Sequence, residues 1–408
     1  MATEKVLPVE EHLKIREELI SVHSLNPFLA HASSPRLCMM ASHLSQLITL
    51  NNGDERIIQT GVDDQLGGNT FSKKIDNDSR VIDIVTRYNG ISVNSVNAKT
   101  EIVIIYEDLV TGELDSLEVP NYFSLHQYFG FEYKWNEEQL SSLTKGSIIP
   151  KGTIIADSPS VTDNSGYKFG LNANVALMTI PEVGEDGVVI SKSMAERLEY
   201  TIFERRVVEY GTDNFPLNMY GDENVYKPFP EIGEKINEDS IVMALRDYDQ
   251  ELATALVSKK DVLDFDPLFD KAEYVKSPDM EMCDIKVIHS PKFKKEVYNG
   301  TSEVVDKYVR GLREFHKHII DTYESLEKDH YKRFRTQLKV SDRFNKLLLD
   351  SYAIVNPDDK RIKKTYKNED LDLYRVEMVI KKKVKPKVGG KITDLHGIGG
   401  AKITELHA

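Results

Sequence analysis

Residues 100–122 read TEIVIIYEDLVTGELDSLEVPNY. Two runs rich in Ile, Val and Leu flank a Val-Thr-Gly break, which predicts two antiparallel strands joined by a turn. The same period-two pattern extends on either side, from about residue 55 to 205. GTIIADSPS (152–160), NVALMTI (174–180) and DGVVISKS (186–193) read as short strands between Gly, Asn, Asp and Pro. Many short strands with such breaks point to a barrel or sandwich, not to a parallel sheet covered by helices.

The flanks have a different period. In VEEHLKIREELISV (9–22), Val9, Leu13, Ile15, Leu19 and Ile20 fall mostly on one side of a helix. A second helix is expected over 36–48, opened by Ser33, Ser34 and Pro35 and carrying Leu37, Met40, Leu44 and Leu47 toward a core. Residues 206–300 are mixed, with strand-like IVMALRDY (241–248) and DIKVIHS (284–290). Beyond them Val305, Tyr308, Leu312, Phe315, Ile319 and Leu326 keep a three-four spacing interrupted by Thr322, and Tyr331, Phe334 and Leu338 continue it after a shift. That is the stripe of a helical hairpin or coiled coil, which serves packing or partner docking. In LYRVEMVIKKKVK (373–385), Val376, Met378 and Ile380 share one face of a last strand.

Composition limits the class. The chain has 408 residues, 40% hydrophobic and 29% charged, as expected of a globular protein of two or three domains. Its start is too charged for a secretory signal, and no apolar run approaches the roughly 20 residues needed to cross a bilayer. The expected location is the cytoplasm. Cys38 and Cys283 supply neither a disulfide framework nor a Cys-based zinc site. The net charge of −13 argues against a nucleic-acid binder, but local clusters decide contacts at physiological salt. Arg375, Lys381, Lys382, Lys383, Lys385, Lys387 and Lys391 stand against the single acid Glu377, so a positive patch sits on an acidic body.

That patch runs into KPKVGGKITDLHGIGGAK (385–402). A Walker loop needs Gly, four residues, then Gly-Lys-Ser/Thr; here Ile392 follows Gly390-Lys391, and Lys385 stands where the first glycine belongs. GIGGAK (397–402) lacks the last glycine of a dinucleotide fingerprint. The residues alone leave a basic, β-rich phosphate binder, with glycines that let backbone approach a ligand and Lys391 as a point charge. A solvated basic turn is the competing reading, and His396 alone reads equally as a structural histidine.

Three stretches taken in order carry a resemblance. NPFLAHASSPRLCMMASHLSQ (26–46), KGTIIADSPSVTDNSGYKFGLNANVALMTIPEVGEDGVVISKSM (151–194) and IKKKVKPKVGGKITDLHGIGG (380–400) each resemble a block of the β, or second-largest, subunit of multisubunit DNA-dependent RNA polymerases. A β-like chain starting at this midpoint resembles the split β subunits of large bacteriophages. The resemblance implies an α+β, β-rich fold with a partial double-psi β-barrel. It divides the chain into a helical segment over 1–54, a β-rich region with the first barrel strands over 55–202, a flap-like insertion with a helical hairpin over 203–370, and a barrel strand with the Gly/Lys motif over 371–408.

It also implies roles. Lys391 matches a lysine that touches RNA or nucleotide phosphates, Arg36 an arginine that binds the nucleoside triphosphate, and His396 the histidine of the same motif. Gln46 matches a glutamine near the RNA. Glu185 and Asp186 match an acidic pair near the second magnesium, with one residue missing just upstream. The pattern breaks at the second motif lysine, where Ile398, Gly399 and Gly400 stand; Lys402 is the candidate substitute, and Leu395 replaces an arginine. The implied activity is nucleotidyl transfer as part of a complex, inactive alone, with Mg2+ bound mainly by a β′-like subunit. Implied partners are that subunit, the remaining β portion, an initiation factor on the flap, DNA template, RNA and nucleoside triphosphates, with no membrane. The host cytoplasm or a virion is the setting if the chain is phage-encoded. The alternative is a non-catalytic nucleic-acid-binding or assembly module that keeps a polymerase-like barrel. The motif's place so near the chain's end leaves a barrel completed by another polypeptide, or a fragment, as the alternatives.

Overall fold

The computed structural model describes residues 23–45, 47–64, 67, 72–88, 100–127, 129–162, 166–178, 187–211, 213–222, 224–247, 270–289, 303–356, 373–388 and 402–407. Five α-helices and seventeen strands are assigned within them. In chain order they are α1 (Ser34–Ser45), β1 (Lys73–Lys74), β2 (Ser79–Thr86), β3 (Ile102–Asp108), β4 (Leu114–Val119), β5 (Tyr122–His126), β6 (Phe129–Glu132), β7 (Lys134–Trp135), α2 (Glu137–Ser142), β8 (Ile148–Ile149) and β9 (Ile154–Asp157). There follow β10 (Gly187–Ser191), α3 (Lys192–Arg197), β11 (Tyr200–Tyr210), β12 (Asn214–Pro216), β13 (Ile241–Asp247), β14 (Lys271–Tyr274), β15 (Glu281–His289), α4 (Glu303–Phe334), α5 (Asp342–Val355), β16 (Tyr374–Val384) and β17 (Lys402–His407). The class is α+β and strand-rich, as expected, and the described strands are divided among six sheets.

Residues 102–119 form the predicted hairpin: β3 pairs antiparallel with β4 from Ile102↔Val119 to Glu107↔Leu114. The sheet continues in the order β4-β3-β2-β8. Both faces of β3 are covered. Ile104 and Tyr106 pack with Val81, Leu117, Phe131 and Ile155, while Val103 and Ile105 pack with Phe315, Ile319, Phe344 and Leu347 from the two long helices. A strand buried on both sides reads as an unbroken apolar run, and IVIIY in β3 is one.

A second sheet, in the order β11-β16-β15, carries the longest ladder. Every residue of β11 pairs with β16, from Tyr200↔Val384 to Tyr210↔Tyr374. Val376, Met378 and Ile380 enter its core together, as their alternation requires. Helix α4 spans both cores: Val304, Val305, Tyr308 and Leu312 belong to the β11-β16-β15 core, and Phe315 and Ile319 to the other. It runs antiparallel to α5, with His316 Nδ1 2.9 Å from Ser351 Oγ and the Tyr352 hydroxyl donating to Glu324 at 3.0 Å.

Between the two cores lies Arg87, 1% exposed. Its guanidinium donates to Asp284 at 2.6 Å and stands 3.2 Å from a Glu101 oxygen. Burial opposes the charge, but the two carboxylates overcome it and hold the guanidinium charged.

The structure corrects three readings. Residues 174–178 of NVALMTI form no strand, and Val175, Leu177 and Met178 are exposed; apolar alternation makes a strand only where a neighbour takes up its N–H and C=O groups. Tyr331 and Phe334 are exposed, and the last fully buried residue of α4 is Ile320. The second helix begins at Ser34 and ends at Ser45, with Leu37, Met40 and Leu44 only half-buried instead of in a core.

Candidate functional site

Segments next to the chemistry-bearing stretches meet around the start of β11. Helix α1 carries Arg36, with the Leu37 N–H donating to the Ser33 carbonyl at 2.9 Å and Pro35 near the helix start, where a missing N–H costs nothing. The Arg36 side chain is exposed, its Nη1 3.7 Å from Met39 Sδ. Downstream of α1, Leu50 bridges to Tyr200, and the Asn51 N–H donates to the Glu199 carbonyl at 2.9 Å. Asn51 also donates through Nδ2 to Glu199 at 3.1 Å and accepts from the Thr201 hydroxyl at 3.0 Å. Arg197 grips both Asp54 oxygens at 2.8 Å. The connection that positions α1 is therefore tied to the β10-α3-β11 unit.

The second stretch enters through β10 and α3. Ser191 caps α3 by accepting from the Met194 N–H at 3.1 Å. β10 pairs in parallel with β17, from Gly187↔Lys402 to Ser191↔His407. Lys402 is thus in register with the residue that follows Asp186 in sequence. The third stretch enters through β16, whose Val384 pairs with Tyr200. Lys385, next along, forms an exposed ion pair with Glu196 of α3 that raises its ammonium above the ordinary lysine range. Backbone pairing thus brings Leu50, which follows α1, and Val384 of β16 to Tyr200, and sets Lys402 on β10. Lys391, His396, Gln46, Glu185 and Asp186 lie outside the described residues.

The lysines of β16 separate by side. Lys382 turns to the Ser277 hydroxyl at 2.6 Å. Lys381 turns the other way, into an ion pair with Glu132 and to 3.5 Å from Glu281; burial works against its charge, but Glu132 outweighs it and lifts the ammonium's pKa. Lys381 and Lys383 line a cleft of about 500 Å³ together with Asn51, Asn121, Glu199 and Cys283. Burial pushes the Cys283 thiol far up, so it stays protonated. Glu132, at the end of β6, lines the cleft, and β6 lies close to β11 at Gly130: a Cβ there would stand 2.7 Å from the Phe203 ring. Reading 375–391 as one patch missed this sorting, although its signal, the period-two alternation of a strand, was legible.

A second groove, of about 640 Å³, runs between β2 and α4 over Asp83. Asp83 accepts from Lys145 at 2.9 Å, and His318 Nε2 lies 3.2 Å away. Burial pushes its carboxyl up, but Lys145, the Ile84 N–H and His318 together bring it below the usual range. No sequence signal marked it: its partners are separated by 62 and 235 residues.

Among the described residues no group of three or more His, Cys, Asp or Glu side chains is placed to hold a metal ion. Nor is any described helix long and apolar enough to cross a membrane.

No family model matches the chain. Curated relatives do. The chain is 28% identical over 226 residues to the DNA-directed RNA polymerase subunit beta of Sorangium cellulosum, a match covering 54% of this chain and 15% of that protein. It is 24% identical over 212 residues to the protein of the same name from Glycine max, covering 51% of this chain and 17% of that one. The chain thus matches less than a fifth of the length of either relative. About half of this chain is therefore a region similar to the β subunit of DNA-directed RNA polymerase.

Proposed function

We propose that this chain is a portion of the β subunit of a multisubunit DNA-directed RNA polymerase. It contributes phosphate contacts to template-directed nucleotidyl transfer, while a separate β′-like chain carries the catalytic Asp triad. The observation that carries this reading is the similarity of about half the chain to β subunits. The pairing of both Leu50, which follows α1, and Val384, which precedes the Gly/Lys motif, with Tyr200 supports it, since one site needs residues from both stretches.

In this reading Arg36 presents a fixed, forked positive charge to the nucleoside triphosphate, which suits phosphate oxygens better than a lysine would. Lys391 neutralises charge at the RNA end, with His396, Gln46 and Lys402 alongside. Such groups accelerate transfer by being in place before charge develops. The described residues do not form a magnesium site, so no step is assigned to a metal held by them. Magnesium belongs mainly to the β′-like partner, with Glu185 and Asp186 near the second ion. The helices α4 and α5 fall within the region assigned to the flap, the part that meets an initiation factor, and the barrel is completed with the remaining β portion.

The test is affinity purification of the tagged chain from its source, followed by mass spectrometry and transcription by the recovered complex. The expected result is copurification of polymerase subunits and a drop of about 10²–10³-fold in elongation rate for Arg36→Ala or Lys391→Ala. Absence of polymerase subunits, with full transcription by Lys391→Ala, would sink the proposal. Copurification with unchanged elongation by both variants would favour the non-catalytic module, for which the missing second motif lysine already speaks.

A further inference from the structure

We infer that Asp54 and Arg56 are positioning residues: they hold α1 in place, and so fix where Arg36 presents its guanidinium to the nucleoside triphosphate. The inference rests on Arg36 as the triphosphate-binding arginine and extends that role to residues that do not themselves bind the nucleotide. Helix α1 is poorly fixed by its own packing. Leu37, Met40 and Leu44 are only half-buried, and the Arg36 side chain is exposed with Met39 Sδ beside it. A helix that buries so little apolar surface takes its position from the chain on either side of it. On the N-terminal side the turn His23–Leu25 packs against α1, and Leu25 is buried. On the C-terminal side the chain becomes buried at Ile48, Thr49 and Leu50.

Residues 51–56 join both flanks to the rest of the molecule. Arg56 donates through Nη2 to the Leu25 carbonyl and through Nη1 to the buried Asp63 at 2.8 Å. Asp54 accepts from Arg197 of α3 and, at 3.0 Å, from the Asn172 N–H. Its own N–H donates to the Gly170 carbonyl at 2.7 Å, and Asn172 Nδ2 donates to the Glu55 carbonyl at 2.7 Å. The approach is close, since a Cβ on Gly53 would clash with the Lys168 carbonyl oxygen. One short segment therefore ties both flanks of α1 to α3 and to the stretch around Gly170. A displacement of about 1 Å in a group that binds the reacting substrate is felt in the rate even when its cause lies far from the chemistry. The Asp54–Arg197 pair is partly exposed and adds little to the stability of the fold. Its loss should appear in catalysis before it appears in unfolding.

The test is single-nucleotide addition by the assembled complex with the nucleoside triphosphate concentration varied. Asp54→Ala, Arg56→Gln and Arg197→Ala are measured alone and combined with Arg36→Ala. Asp54→Ala and Arg56→Gln each lose two partners and should lower kcat/KM about tenfold. Arg197→Ala loses one exposed pair, and a loss of about 1.4- to 5-fold is expected. In the Arg36→Ala background none of the three should lower kcat/KM further, because all act through that arginine. A merely structural role would give losses that add. Arg80→Ala, which removes an exposed pair with Glu107, is the control and should leave kcat/KM unchanged. Hydrogen exchange of the intact purified chain is a second measurement that needs no partner: in Asp54→Ala and Arg56→Gln the α1 amides should exchange several-fold faster, with β11 and β16 unchanged. Wild-type kcat/KM in Asp54→Ala, losses that add in full to that of Arg36→Ala, or unaltered exchange in α1 would overturn the inference alone. A silent Arg36→Ala would instead remove the role of Arg36, and the inference with it.

Discussion

The junction under α4 and the corner around Tyr200 are both places where distant stretches of chain meet, but they are held by different forces. At the junction Arg87 and Asp284 are buried between two apolar cores, with the part-buried Glu101 beside them. Helix α4 joins those cores through one buried stripe of Val305, Tyr308, Leu312, Phe315 and Ile319. At the corner the ties are β-ladder bonds and exposed pairs, Arg197–Asp54 and Lys385–Glu196. Buried unpaired charge is costly, whereas exposed pairs are worth little. Stability therefore concentrates at the junction, and the chemistry-bearing segments sit where change costs the fold least.

Mutations and pH separate the two regions. Arg87→Ala strands the buried Asp284 carboxylate and removes the closer cation from the part-buried Glu101, and should cost about 4 kcal/mol in denaturant unfolding. A loss near zero would show that the junction is not the strong point. Ile319→Ala opens a hole in the core shared by α4 and β3, and about 3 kcal/mol is expected from the same measurement. Acid probes the junction through His316, which is buried and hydrogen-bonded to Ser351. Burial pushes its pKa down to about 4, below the ordinary value near 6.5. The unfolded chain therefore binds the proton first, and stability is lost as pH falls from about 6.5 toward 4. Between pH 7 and 5 the loss should be about 2 kcal/mol by linkage, and melting curves of wild type and His316→Asn should converge as pH drops. The lowered carboxyls of Asp83 and Glu101 act only at still lower pH, as they are protonated. At the corner, Arg197→Ala should cost under about 1 kcal/mol, and a larger loss would erase the contrast.

Legibility in the sequence followed the same division. The β3-β4 hairpin, the α4 stripe as far as Ile319 and the inward face of β16 were all written in local periodicity, because each is an element whose two faces differ. The exposed run Val175–Leu177 was misread for the complementary reason: alternation specifies a face, not the strand that must pair with it. Arg87 and Asp284 gave no signal at all. They are 197 residues apart, and a charge is buried only because another element delivers its partner.

By itself, the sequence determined the strand-rich α+β class, the long helix, and the motif order that resembles a β subunit. Only the tertiary structure decided which lysines of KKKVKPK share a face with the cleft, that β17 lies parallel to β10, and that Leu50 and Val384 both pair with Tyr200. The physical reason is range. Periodicity and turn chemistry act over a few residues, whereas pairing between strands and burial of charge depend on partners that the chain brings together only on folding.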